Sequence, residues 1–172
     1  MSFQLGAITL PVVAGFDLDQ SYEQIGGEAI FRASSGRGIK QATWSKLRIT
    51  TSGTGWIPSG LEALDYTAQM TLKCIVPKGI SAVLATRQAT LPTGRRSDSG
   101  FIPFGTAILS DGRHVSTPAT MAGHVATLDA VAGAVAYQAN YYPELTVWAM
   151  RPETSGNLSD ASYQWQITCE EV

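Results

Sequence analysis

Apolar residues alternate with polar ones in several segments of this chain, and the alternation predicts strands. Residues 163–170 are the clearest case, because four apolar side chains occupy one face and only glutamine, threonine and glutamate occupy the other. Successive side chains of a strand point to opposite faces of a sheet, so the segment predicts a half-buried strand. Residues 43–51 and 70–76 repeat the pattern. We expect four side chains on the inward faces to anchor the core: Leu72, Cys74, Tyr163 and Trp165.

Turn signals predict two hairpins. Residues 29–33 and 39–44 flank a glycine-containing turn, which suits a tight reversal because glycine tolerates positive φ. Asp111-Gly112 is a two-residue hairpin signal between strand-like runs. Residues 126–139 fit either a helix face or a hairpin, and Gly133 favours the hairpin.

One short helix is predicted near residues 60–66. Ser59 and Glu62 have the spacing of a capping box. The helix has room for fewer than two turns, so tertiary packing must hold it. Three segments rich in glycine, proline, serine, threonine or charge are predicted to be long exposed loops: residues 88–100, 116–123 and 151–160.

The composition is consistent with one domain, residues 1–172, that carries little charge. Charged residues make up 15% of the 172 residues, against about 25% in average usage. Either the surface is buried against partners, or a β-rich domain presents threonine and serine instead. The net charge of -2 gives no general attraction for nucleic acid, so no sequence-specific nucleic-acid partner is expected. Nothing resembles a signal peptide or the ~18 apolar residues of a membrane span.

The sequence offers few candidate catalytic or metal-binding residues. His114 and His124 do not have metal-ligand spacing, and we expect ordinary hydrogen bonds for both. Asp17 and Asp19 share one strand face and could hold a cation or flank a substrate, but we expect a solvated turn, since calcium sites need more oxygen ligands than these two residues supply. Nucleophile-elbow, P-loop and dinucleotide motifs do not occur. We therefore predict no enzyme activity, no cofactor and no metal.

Two further features admit alternatives. Cys74 and Cys169 fall on apolar strand faces, where they could form a disulfide or remain two buried thiols. The run from Gly53 to Gly55 suggests a corner that turns Trp56 inward.

The only charge cluster is basic and includes one aromatic side chain. Such a cluster can bind single-stranded nucleic acid, form a solvated face, or meet an acidic surface of a neighbouring subunit. We expect an interface, with the segment from Asp17 to Glu23 or the tail Glu170-Glu171 as the acidic counterpart. The candidate interface residues are Arg32, Arg37, Lys40, Trp44, Lys46 and Arg48.

Several motifs resemble segments of small tail proteins of double-stranded DNA bacteriophages, of the distal-tail or baseplate type. They are the IFRASSGRGIKQATW run, the GWIPSGL and LDY motifs near the predicted helix, and the YYPE and YQWQI motifs near the C-terminus. The resemblance covers most of the chain. It implies an all-β fold, a β-sandwich or split barrel similar to tail-tube subunits, with one short helix and long loops.

The resemblance also implies a function. It predicts a non-enzymatic structural subunit of a tail tip or baseplate, which forms a ring, a hexamer or a trimer, that joins the tail tube to the tip. The expected partners are copies of itself and other tail proteins (tube, hub and tape measure), without a membrane. The expected location is the virion tail, after assembly in the host cytoplasm. The alternative is a β-sandwich binding module, either carbohydrate-binding or capsid-decorating.

Overall fold

The structure, a computed structural model, describes residues 2–11, 16–56 and 59–172. Residues 57–58, which belong to the GWIPSGL motif, lie outside the described part. The strands are β1 (Ser2–Leu5), β2 (Ile8–Pro11), β3 (Phe16–Arg32), β4 (Gly38–Gly55), β5 (Met70–Lys73), β6 (Lys78–Ala82), β7 (Gln88–Thr90), β8 (Phe104–Leu109), β9 (His114–Ala122), β10 (Val125–Leu128), β11 (Ala134–Tyr141), β12 (Glu144–Ala149), β13 (Glu153–Asn157) and β14 (Ser162–Glu171).

These strands form two sheets. The larger has the order β2-β1-β5-β12-β14-β4-β3, with β13 also paired to β14, and the smaller has the order β6-β11-β8-β9-β10-β7. The helical content of the described chain is one 3-10 turn, Leu61–Ala63. The predicted fold class, an all-β sandwich or split barrel with a short helical segment, is confirmed.

The chain divides into two compact units. The first contains residues 2–4 and Leu72–Leu145, and the second contains the described parts of Leu5–Thr71 together with Thr146–Val172. The assignment of all 172 residues to a single domain stays a prediction.

The first unit contains the smaller sheet, which nearly closes into a barrel. A bridge between Val83 and Gln88 joins β6 to β7, the two end strands of the sheet order. A narrow barrel leaves room for few large side chains, and half of this core is alanine. The buried cluster consists of Ala89, Leu91, Ala107, Ala126, Leu128, Tyr137, Ala139 and Tyr141.

The second unit is organised around β4 and β14. β4 pairs with β3 along its whole length, from Gly55 opposite Phe16 to Gly38 opposite Arg32. On its other side, β4 pairs with β14 only from Arg48 to Gly55. Consequently, the half of the β3–β4 hairpin nearer the turn has no third strand.

Most of the predicted strands and both predicted turn signals are confirmed. β14 has the expected alternation, with Trp165, Ile167 and Cys169 buried and the intervening side chains more exposed. The turn between β3 and β4 places Gly36 at a φ of 79°, where a side chain would be strained. β8 and β9 form the second hairpin around Asp111-Gly112. Leu72 and Cys74 are buried as expected, whereas Tyr163 is only half-buried.

Several pairing and loop predictions are wrong. The segment 126–139 is β-structured, but β10 pairs with β9 and β7 instead of forming a hairpin with β11. Residues 116–123 lie largely in β9, and residues 151–160 contain β13. Residues 88–100 begin with β7, but residues 91–100 are irregular as predicted, although they bury Arg96. Polar composition marked these segments as loops, but a strand with a solvated face has the same composition.

Three local predictions near the turns are also wrong. The capping box does not form, because Gly60 is the N-cap residue and no side chain caps the 3-10 turn. Gly53 and Gly55 continue β4, and Trp56 is 63% exposed instead of turned inward. β5 ends at Lys73, three residues earlier than predicted. The next backbone N–H, that of Cys74, donates to the carbonyl of Pro143. Both cysteines are buried and neither is part of a disulfide, so the disulfide alternative is wrong.

Arg96 organises the irregular segment of the first unit between β7 and β8. Its side chain is 1% exposed. The guanidinium donates to both carboxylate oxygens of Asp98, at 3.0 and 2.5 Å, and to the carbonyls of Ser2 and Cys74, at 3.0 and 2.9 Å. It also lies 3.2 Å from the centroid of the Phe101 ring. One buried cation therefore ties together the N-terminal strand, the end of β5 and the loop itself.

Replacing Arg96 should cost far more stability than replacing Arg113, its matched control. Arg113 also pairs with an aspartate two residues away, Asp111, but its side chain is 75% exposed. Arg96→Met should lower the free energy of unfolding by about 3–5 kcal/mol because it leaves buried carbonyls without a donor. Arg113→Met should cost no more than about 1 kcal/mol. Urea unfolding measures both, and equal losses would contradict this role for Arg96.

Asp98 should make part of the stability pH-dependent. Its hydrogen bonds from Arg96 hold the pKa of the carboxyl below its ordinary value. A depressed folded-state pKa contributes stability above the unfolded pKa, about 3.9, and this contribution is lost as the pH falls through the folded value. Asp98→Asn should therefore be less stable than the wild type at pH 7, with a difference that shrinks below about pH 4. A difference that is constant from pH 7 to pH 2.5 would contradict this.

Candidate assembly surface

The free half of the β3–β4 hairpin, residues 26–45, is the most unusual surface of the described chain. We call it the arm. Its backbone hydrogen bonds run between β3 and β4 alone, because β14 covers β4 only from Arg48 onward. At a rise of about 3.4 Å per residue, the arm extends roughly 30 Å beyond the last β14 pairing.

Both faces of the arm are exposed, and they carry large apolar side chains. Every residue from 28 to 45 is exposed. Phe31 and Ile39 lie opposite each other on one face, and each is 56% exposed. Trp44, which is 53% exposed, lies on this face too, beside Gly27, and Ile30, which is 69% exposed, lies on the other face. A protein rarely leaves such a set in water unless it meets a partner.

A bulge lies where the arm leaves the sheet. The register shifts between Gly26 and Glu28. A Cβ on Gly26 would lie 2.5 Å from the carbonyl oxygen of Trp44, and a Cβ on Gly27 would lie 2.7 Å from the Trp44 indole nitrogen. The Thr43 hydroxyl donates to the Gly27 carbonyl at 2.9 Å. Glycine is required here because the two backbones approach closely.

Two of the predicted interface residues contact their own chain at the base of the arm. Arg48 donates to Glu170 at 2.9 Å and to Glu23 at 3.1 Å, and these bonds raise the pKa of the guanidinium. The amine of Lys46 donates to the carbonyl of Val172. The predicted acidic counterparts are thus present, but as intramolecular partners of Arg48. A contact of Lys46 or Arg48 with a neighbouring subunit stays a prediction.

The remaining basic residues lie near the turn of the arm. Lys40 pairs with Glu28 at 2.7 Å. Arg32 donates to the carbonyl of Gly36 at 3.1 Å. Neither Arg32 nor Arg37 has an ion pair with any described carboxylate. The turn end of the arm, residues 28–40, therefore carries three cations and one carboxylate.

A groove of about 690 Å³ lies at the opposite end of the β3–β4 ladder. Four strands in the order β13-β14-β4-β3 form it, and their registers place two rows of polar side chains on one face. The first row is Ser155, Gln164, Thr54 and Asp17. The second row is Glu153, Gln166, Ser52 and Asp19.

The groove contains carboxylates but no basic side chain among the residues that line it. Asp19 and Glu153 are separated by three strand spacings, about 14 Å, too far to ligate one cation together. In the described ranges no three histidine, cysteine, aspartate or glutamate side chains are grouped closely enough to hold a metal ion. The groove suits an extended polar or cationic partner better than a single ion.

The two histidines lie in or beside strands of the first unit. His114 is the first residue of β9, and His124 lies in the turn before β10. The Nδ1 atom of His124 is 3.0 Å from the Arg95 guanidinium. Within the residues described, no helix has the length and hydropathy needed to span a membrane.

Comparison with known proteins adds no relatives. The chain matches no protein family model, no curated protein and no solved structure.

The close approach at the bulge predicts that one added methyl group disturbs the arm locally. Gly26→Ala should disturb the arm, because the new Cβ meets backbone, while Gly38→Ala should not, since its Cβ would lie 3.8 Å from its nearest neighbour. We expect limited trypsin digestion to cleave after Arg32 and Arg37 several-fold faster in Gly26→Ala than in Gly38→Ala. The free energy of unfolding should change by about 1 kcal/mol or less in either variant, since the arm adds few buried contacts. Equal cleavage rates would contradict the close approach.

Proposed function

We propose that this protein is a structural subunit that assembles with copies of itself through the arm, as a ring in a bacteriophage tail tip or baseplate. The observation that carries the proposal is a long two-stranded arm with both faces in water and three large apolar side chains exposed on one of them. An isolated two-stranded ribbon is marginally stable in water. Docking of this face on another subunit would bury Phe31, Ile39 and Trp44 together.

The contact would be heterologous. The arm projects from one end of a ladder whose other end belongs to the body of the second unit. An arm that docks on the body of the next copy without reciprocal exchange meets a different surface, and contacts of that kind close into rings or continue as filaments. The low charge of the chain is consistent with extensive buried surface in an assembly.

The tail assignment, with tube, hub and tape-measure proteins as further partners, rests on the sequence motifs. One of them maps to structure that the self-assembly proposal uses. The IFRASSGRGIKQATW run covers residues 30–44, which is nearly the whole arm. The YQWQI motif, residues 163–167, lies at the end of β14 that is farther from the arm, where Gln164 and Gln166 line the groove.

A carbohydrate-binding module remains the alternative. It would use the groove, where amide, hydroxyl and carboxylate groups could bond to sugar hydroxyls. However, the tryptophan in the groove, Trp165, is only 5% exposed, so it offers no stacking face. The exposed apolar residues of the arm favour assembly instead.

Polar substitutions on the arm should weaken self-association. The double variant Phe31→Ser and Ile39→Thr should raise the dissociation constant at least tenfold, because burial of one large apolar side chain contributes about 1.5–3 kcal/mol. Val83→Ser with Leu84→Ser is the matched control, since these side chains are 61% and 52% exposed but lie outside the arm. Sedimentation velocity measures the particle mass against the 18.3 kDa monomer. A wild type that stays monomeric, or a loss of assembly equal to that of the control, would overturn the proposal.

A further inference from the structure

The β3–β4 ladder carries opposite charge at its two ends. Arg32 and Arg37 lie at the arm turn, and neither has a described carboxylate partner. Asp17 and Asp19 lie at the other end, in the groove, together with Glu153 from β13. The lining residues of the groove include no cation.

The two ends cannot neutralise each other within one molecule. Asp17 and Arg32 are 15 residues apart on one continuous strand, which places them about 50 Å apart. A β3–β4 ladder with a basic arm turn at one end and an acidic groove at the other is complementary to a second copy arranged head to tail. Such an arrangement is heterologous, as the arm itself requires.

The groove also has a shape and a chemistry that suit a hairpin tip. It is open along four strands and holds about 690 Å³. Its two rows present carboxylate, amide and hydroxyl groups, which accept hydrogen bonds from guanidinium and from exposed backbone N–H groups. Arginine pairs well with such planar acceptors, because its five donors have a fixed fork geometry.

We infer that the groove of one copy receives the arm turn of the next copy, with Arg32 and Arg37 beside Asp17, Asp19 and Glu153. This inference rests on the proposed self-assembly and adds the surface that receives the arm. The apolar residues farther along the arm supply most of the affinity, and the charges select the orientation and the register of the contact.

Charge exchange between the two surfaces tests the inference. Arg37→Glu and Asp17→Lys should each weaken assembly at least tenfold at low ionic strength. The combined variant should recover most of the loss, because the pair is restored with reversed sign. Arg113→Glu and Asp111→Lys are the controls, since they make the same changes in an exposed ion pair of the β8–β9 turn. Sedimentation velocity at about 50 and 500 mM salt should show a larger charge effect at the lower salt concentration.

The outcomes separate this inference from the proposed function. If Phe31→Ser with Ile39→Thr abolishes assembly while Arg37→Glu and Asp17→Lys behave like their controls, the arm assembles copies but the groove does not receive it. Losses without recovery in the combined variant would also overturn the pairing. A wild type that remains monomeric at all concentrations would overturn both proposals.

Disulfide trapping provides a second, direct measurement. Arg37→Cys mixed with Ser155→Cys should form a cross-linked dimer under mild oxidation, because the native Cys74 and Cys169 are buried and do not compete. Arg37→Cys mixed with Ser110→Cys, an exposed position near the β8–β9 turn, should form at least tenfold less. Equal yields from the two mixtures would overturn the proposed contact.

Discussion

Hydrogen bonding between β4 and β14 is the constraint on which the candidate assembly surface, the arm, depends. β4 has 18 residues, β3 has 17 and β14 has only ten. Where β14 stops covering β4, at Arg48, the hairpin must continue as two strands with both faces in water. The C-terminal residues strengthen the attachment at the base of the arm. Glu170 binds Arg48, and the Glu171 carboxylate accepts a hydrogen bond from the N–H of Leu47. The arm is thus held at its base by backbone pairing and by charge, and its register is already set where it leaves the body.

Charged residues serve two different purposes in the two units. In the first unit, Arg96 is buried and its donors are used by Asp98 and backbone carbonyls, so its charge stabilises an otherwise irregular loop. In the second unit, Arg32 and Arg37 remain in water at the end of the arm. Removal of the buried Arg96 charge would therefore be costly for stability, whereas the charges of Arg32 and Arg37 are accessible to a partner.

The groove shows why a site built from a sheet face is hard to predict. Asp17 and Asp19 were visible as two carboxylates on one strand face, and they do share that face. Their partners in the groove come from three other strands, and Glu153 lies in a segment that composition marked as a loop. Only the registers of β13, β14, β4 and β3 bring these side chains into two rows, because a shift of one residue would move each strand's polar set to the opposite face.

The sequence by itself determined the all-β class, the buried face of β14, both glycine turns and the location of the basic hairpin. These features follow from period-two alternation and from the φ preferences of single residues, which are local properties. The tertiary structure alone decided that β10 pairs with β9 and β7, that Arg48 is neutralised by its own chain, and that half of the long hairpin stands free. Each of these depends on which strands meet across long sequence separations, and that is decided by packing and hydrogen bonding of the whole chain, not by any local pattern.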